Sequence, residues 1–372
     1  MLDSVLSQAR DAAASCGVTR LADVTGLDEI GVPVFQAVRP WSRSLCVHQG
    51  KGLTPDAARI GALMEAIECD HAEGFVGDPV ICAFADLPPT ERVTDLADFA
   101  ARRDCVPDSN APLSWVAGEQ LSQNGPLWIP FDIVSLDFTQ AETRFERTSN
   151  GLGAGFSKDL AIRTALLEVI ERDALQAWLQ RAAEVRTLDR IEIGSIPYPW
   201  FADIACRLQA ADLELTIYRM PAIVTLPCFV TQIRELSSGG ALRLSAYGSA
   251  CRASLQEALE RSVVEAVQSR LTAVSGVRDD IYAQTETQPT EIFGGFGLPL
   301  PSHWSGLHLG SLPDPSTEGA ELGPAEIHTL LNAAGYPLSA VVDLTRPGGQ
   351  VHVVKAVVPG LGAFSRVRRQ CV

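Results

Sequence analysis

Carboxylates recur in this chain at one spacing. Glu65 and Glu68 stand three apart, as do Glu168 and Glu171, and Glu265 is followed three residues later by Gln268. Each pair trails the same signals: a hydroxyl residue (Thr54, Ser157, Ser254), an alanine four on (Ala58, Ala161, Ala258), and the first glutamate seven after that. Side chains three apart on a helix share a face, and like charges there repel. Five acids of one design, brought to one locus, need cations. Carboxylate oxygens without His or Cys select a hard ion. Mg2+ is the default, and it prefers to share a few carboxylates with substrate phosphates. Five acids suggest more than one ion.

The elements that carry them can be read from the same spacing. A hydroxyl residue before an apolar-periodic run starts a helix, which predicts helices over 55–73, 158–181 and 255–274. With Leu166 at zero and about 100° per residue, Leu167, Ile170, Ala174, Leu175 and Trp178 fall between roughly 40° and 180°. Glu171 falls at about 140°, inside that apolar arc, and Glu168 near 200°, at its edge. The bland alternative is three capped helices with solvated glutamate faces. Against it, an unpaired buried carboxylate is expensive, so the tripled pattern points to a shared site.

Basic residues lie beside the acids. Arg172 adjoins Glu171, Arg261 lies four before Glu265, and Lys51 and Lys158 stand at helix starts. With the N–H groups of two Gly-rich stretches, 49–52 and 148–155, these suit phosphate; Lys158 reads instead as a surface salt bridge. Neither stretch matches a P-loop, and a dinucleotide fingerprint lacks its acidic partner after a strand. No nucleophile stands out. Cys46, Cys69 and Cys251 read as core filler.

Around the helices, residues 1–20 read as a helix and 33–48 as an extended stretch. Residues 75–112 mix short strands and turns, and 114–138 read as a hairpin split at 122–126. A helix is expected over 195–212, with strands near 213–220, 227–236 and 241–248. Residues 284–325, rich in Pro, Gly, Ser and Thr, read as a surface loop or lid. A helix near 324–335 and strands near 339–345 and 351–359 follow. The fold class expected is α+β, with strand–helix modules repeated at about 100 residues, too long for a solenoid.

Bulk properties narrow the function. The chain has 372 residues, 30 Lys and Arg against 45 Asp and Glu, and a net charge of −15. That balance speaks against non-specific nucleic-acid or acidic-membrane binding. No window supplies the roughly 18 apolar residues of a membrane span, and the start lacks a secretory signal. Nine scattered cysteines without a framework fit a reduced cytoplasm.

Ser149-Asn150-Gly151 and the run from Glu168 to Asp173, with Gln49-Gly50-Lys51-Gly52 ahead of Glu65 and Glu68, resemble the YcaO family. The segment 258–271 looks like that family's third nucleotide motif, and VVPGL at 357–361 is similar to YcaO proteins associated with TfuA. The resemblance spans about 20–365 and implies a YcaO domain over 21–372 after an N-terminal helix. It implies an ATP- and Mg2+-dependent enzyme acting on peptide backbone amides, with azolines, thioamides or amidines as products. It gives Glu65, Glu68, Glu168, Glu171 and Glu265 to Mg2+, and Lys51, Arg172 and Arg261 to phosphates, the two arginines as the catalytic pair. Ser149, Asn150, Ser157 and Gln268 become nucleotide contacts.

Two departures stand out. Cys69 replaces an arginine common after the first pair, and the Pro-alternating terminus of azoline formers is absent. Thioamide formation with a TfuA-like partner is therefore the first expectation. Cyclodehydration and a non-catalytic nucleotide-binding subunit are the alternatives. A precursor peptide or protein is the expected substrate, recognised by a separate leader-binding protein or by the chain's own surface. A homodimer is the common expectation for a soluble enzyme.

Overall fold

Each hydroxyl residue of the repeated signature caps a helix. Thr54 Oγ1 accepts from Ala57 N at 3.3 Å, Ser157 Oγ from Leu160 N at 3.2 Å, and Ser254 Oγ from Glu257 N at 3.1 Å. The computed structural model describes residues 2–99, 107–122, 125–140, 143–236, 245–276, 305–315 and 322–361. Helix α1 (Leu2–Ser15) leads into strands β1 (Arg20–Asp23), β2 (Val34–Val38) and β3 (Val47–Lys51), then α2 (Pro55–Glu73). Next come β4 (Val80–Ala83), β5 (Pro112–Gln120), β6 (Pro126–Pro130), the short α3 (Phe131–Val134), β7 (Leu152–Gly155) and α4 (Lys158–Leu179). After α5 (Ala183–Thr187) and α6 (Pro199–Ala210) follow β8 (Leu213–Arg219), β9 (Cys228–Glu235), β10 (Ser245–Cys251) and α7 (Leu255–Ser275). Helix α8 (Pro324–Ala333), β11 (Ala340–Asp343) and β12 (His352–Val357) complete the described elements.

The strands form three antiparallel sheets. One has the order β1-β2-β3 and another β10-β9-β8; the largest runs β4-β5-β11-β12-β7, with β6 on β5. Each of the three carboxylate-bearing helices follows a strand that ends its sheet: β3, β7 or β10. Those strands lie so close to their helices that only glycine fits. A Cβ on Gly50 would sit 2.0 Å from the Ala58 carbonyl oxygen, and one on Gly153 would sit 2.4 Å from that of Ala161. In the third module the contact slides one turn, and Gly248 lies against Ser262 O and Ala266 N. In the first two modules the alanines of the repeat, Ala58 and Ala161, are thus the small residues that let a strand backbone touch a helix.

Cores form around each helix. Leu63 and Ile67 of α2 join Ala9 and Ala13 of α1 and Val353 and Val357 of β12. Leu166 and Ile170 of α4 pack with Val354 of β12 and Ile327 and Leu331 of α8. Val263 and Val267 of α7 pack with Phe201 and Ile204 of α6. The end of α2 is pinned by charge: Arg39 Nη2 lies 2.6 Å from Asp70 Oδ1 and 2.9 Å from Glu73 Oε2.

Several expectations change. The first helix stops at Ser15, because β1 begins at Arg20. The second half of the expected hairpin turns helical after Pro130, and the helix expected from 195 starts at Pro199 behind a 3-10 turn. Helix α5 was not foreseen. Much of the expected surface loop, 284–304 and 316–321, lies outside the described residues. The described part between them is anchored: Leu309 and Leu312 are buried, and Leu309 N donates to Ser195 Oγ at 2.9 Å. Cys46 is exposed, whereas Cys69 and Cys251 are buried as expected.

Gly50→Ala is expected to cost about 3 kcal/mol, the upper range for forcing atoms into a packed contact. Urea denaturation beside Gly26→Ala, where a Cβ meets nothing within 4 Å, checks it; equal stabilities would contradict the strand–helix contact.

Candidate active site

The carboxylates of each helix reach a neighbouring module. Glu68 Oε1 on α2 accepts from Ala154 N of β7 at 2.8 Å. Glu171 Oε1 on α4 accepts from Ser249 Oγ of β10 at 2.7 Å. Glu265 Oε2 on α7 lies 3.1 Å from Lys51 Nζ of β3. One turn further along α7, Gln268 Nε2 donates to Gln49 Oε1 of β3 at 3.2 Å. The handover runs α2 to β7, α4 to β10 and α7 to β3, and so closes on itself. The other two glutamates stay within their own modules: Glu65 accepts from Gln49 N at 3.2 Å, and Glu168 lies 4.0 Å from Arg172 of the same helix.

This geometry concentrates negative charge. Burial, then Glu168 and Glu65, pushes the Glu68 carboxyl up to about 8. Burial raises Glu168 to about 7 with help from Glu171 and Glu265, although Arg172 opposes them. Glu171 is raised by burial and by Glu265, against Arg172 and Arg252. For Glu265 burial also raises the carboxyl, but Lys51 and Arg172 outweigh it and the net direction is down. The same field acts on Arg172: burial alone would lower it, and Glu171, Glu168 and Glu265 hold it above its ordinary value. Its guanidinium lies 4.0 Å from Glu168 and 3.9 Å from Glu171.

The structure therefore gathers Lys51, Glu65, Glu68, Glu168, Glu171, Arg172, Glu265 and Gln268. Arg261 lies one turn before Glu265, and burial and the nearby Arg252 lower its guanidinium. Ser149 is exposed on the turn ahead of β7, and the adjacent Asn150 carries a buried Nδ2 without a hydrogen-bond partner. Ser157 is not brought in. Its oxygen is spent on the cap of α4, and eleven residues of helix put it about 16 Å along the axis from Glu168. Lys158 pairs with exposed Glu119 at 2.7 Å, the surface salt bridge expected of it.

Three participants escaped sequence reasoning. Ser249 holds Glu171. Arg252 lies 4.0 Å from Glu171 and 3.7 Å from Glu257. Lys355, in the middle of β12, is only 1% exposed, and its charge acts on Glu168. The usable signal was a lysine inside the apolar run VHVVKAVVP, since a charge in a buried strand needs a partner.

The donor set suits hard cations. It is all oxygen, and burial together with like-charged neighbours raises Glu68, Glu168 and Glu171, a charge balance that bound cations would relieve. A second group, Cys16, Asp70 and His71, has ligand atoms within 4.8 Å of one another. There, however, Arg39 and Arg346 each reach Asp70 at 2.6 Å, so the charge is already answered.

Residues 49–362 match the family model described as YcaO cyclodehydratase, ATP- and Mg2+-binding. The chain belongs to the YcaO family. An uncharacterised protein from the tfuA 3' region of Rhizobium leguminosarum bv. trifolii is 31% identical, across 93% of this chain and 84% of that protein. Among solved structures, the YcaO from Methanopyrus kandleri bound with AMPPCP and Mg2+ aligns with a TM-score of 0.74 at 20% identity. That alignment covers 99% of this chain and 92% of the other. A heterocyclase in complex with substrate and cofactor also gives 0.74 at 20% identity, across 93% of this chain and 50% of its own length. The YcaO fold expected from the motifs is thus the fold observed, and ATP and Mg2+ are the family's cofactors. No described helix is long and apolar enough to cross a membrane.

A carboxyl raised on folding favours the fold fully below its unfolded value and loses that contribution as pH climbs through the folded one. With Glu168 near 7 and Glu68 near 8, the cation-free chain is expected to melt lower at about pH 8 than at about pH 6.5. Lys355, lowered to about 8 by burial, acts in the opposite sense, but most of that effect falls above this range. Thermal melts with EDTA or Mg2+ test this: Mg2+ and Glu68→Gln should each narrow the difference, and an unchanged difference in both would refute the crowding.

Proposed function

We propose that this YcaO chain uses ATP and Mg2+ to modify a backbone amide of a peptide or protein, forming a thioamide together with a TfuA-like partner. The observation that carries the reading is the closed ring of five glutamates from three helices, flanked by Lys51 and Arg172. Glu65, Glu68, Glu168, Glu171 and Glu265 would hold the Mg2+, which when bound neutralises phosphate charge. Lys51, Arg172 and Arg261 would contact phosphate oxygens, with Arg252 as a fourth cation. Fixed cations stabilise charge that shifts during phosphoryl transfer, because they need no reorganisation when it moves. Ser149, Asn150 and Gln268 would complete the nucleotide contacts.

The tfuA neighbourhood of the Rhizobium relative supports the thioamide product and the partner. Cyclodehydration to a thiazoline or oxazoline is the second reading, favoured by the family's description. The expected setting is the cytoplasm, with a precursor peptide as substrate and leader recognition by a separate protein or by this chain's own surface.

Intact-mass analysis after incubation with peptide, sulfide, ATP and Mg2+ distinguishes the products. Exchange of oxygen for sulfur supports thioamidation; loss of water overturns it in favour of cyclisation. Glu168→Ala and Glu171→Ala should each cut ADP release by about 100-fold or more. Release that ignores both substitutions would remove the carboxylate ring from the mechanism. A chain that binds ATP yet never hydrolyses it would be an activating subunit.

A further inference from the structure

Lys355 is a lysine in the middle of a sheet. Strand β12 lies between β11 and β7, and its alternation puts Val353, Lys355 and Val357 on the face packed against α2. Burying an ammonium there is costly unless it is paired and hydrogen-bonded. Its Nζ donates to the carbonyl oxygen of Thr148 at 2.5 Å, and its charge acts on Glu168 and Cys69. The lysine is therefore bonded to the turn that leads into β7 and places its charge where Glu168 of the ring feels it.

That turn is seated on β12 at more than one point. Ala356 N donates to Gly151 O at 2.7 Å, and Gly151 has φ +75°. A Cβ on Gly151 would come within 2.3 Å of Ala356 O. Inside the turn, Asn150 N donates to Thr148 Oγ1 at 3.2 Å and Leu152 N to Ser149 O at 2.9 Å. The side chain of Asn150 is left with its buried Nδ2 unpartnered. A buried amide donor without an acceptor costs free energy that a ligand acceptor would return.

We propose that Lys355 is a positioning residue of the nucleotide site: it fastens the Thr148–Gly151 turn to the carboxylate ring and so holds the Asn150 amide ready for an acceptor on the nucleotide. The inference rests on the ATP-dependent reading above and extends it to a residue outside the signature helices. Lysine serves here because it reaches the Thr148 carbonyl while presenting charge to Glu168. Cys69, the other group its charge reaches, supplies no cation of its own.

The experiment uses the full chain and two readouts. Amide hydrogen exchange across 148–152 is measured without nucleotide, and Mg·ATP affinity is measured by calorimetry. Lys355→Met should speed exchange in that segment and weaken Mg·ATP by about tenfold, or about 1.4 kcal/mol. Lys355→Gln, which keeps a donor for Thr148 O, should recover part of both. Asn150→Ala should weaken Mg·ATP to a similar degree with little change in exchange. The double variant should then lose less than the sum, as expected when one residue acts through another. Additive losses, or a Lys355→Met chain with wild-type exchange and affinity, would overturn the proposal. If Lys355→Met does not fold, Lys355→Gln carries the test alone: unchanged exchange together with lost affinity would refute positioning. A wild-type chain that fails to bind Mg·ATP would sink the ATP-dependent reading itself, an outcome distinct from these.

Discussion

The structure depends on placing carboxylates together without letting them drive the fold apart. Two unit charges about 5 Å apart repel by about 3 kcal/mol at an effective dielectric near 20. Five of them would strain any small site. The chain answers by giving several of those oxygens a partner from a neighbouring element. Two accept backbone N–H groups of β3 and β7, one accepts the Ser249 hydroxyl of β10, and one takes the ammonium of Lys51. Those three strands end their sheets. An open strand edge invites unwanted pairing, and here the helices' acids meet edge donors. One contact thus eases two problems.

What the hydrogen bonds leave over, cations oppose. Arg172 comes from the same helix as Glu168 and Glu171, Lys51 from a strand across the ring, and Arg252 from the start of the third module. Lys355 comes from a strand that carries no part of the repeat. Their spread along the chain matters for folding. The site is complete only when all three modules have docked, so its charges cannot be balanced by any one module alone.

The carboxylate helices were legible because capping and periodicity are local. Thr54, Ser157 and Ser254 cap where their spacing said, and the buried place of Glu171 followed from its angle on the wheel. The meeting of Glu68 with β7 was not legible, because nothing in a local pattern names a partner 86 positions away. Ser157 shows the reverse: its signal as a cap was local and complete, whereas its place in a nucleotide motif came from the family resemblance alone. Ser249, Arg252 and Lys355 escaped because each stands on or beside a strand, where one polar residue among apolar ones carries little periodic weight. The anchoring of 305–315 was hidden by composition, since prolines and glycines also occur in segments that thread a core.

The third copy of the motif ends in an amide rather than an acid. Had Gln268 been a glutamate, the ring would carry three matched pairs and look much the same from every module. An elongated polyanion could then settle in it several ways round. With a neutral carboxamide bonded to Gln49 on one side, the ring has a front and a back. This departure from repetition, like the unlike partners of Glu68, Glu171 and Glu265, sets one side of the ring apart from the others.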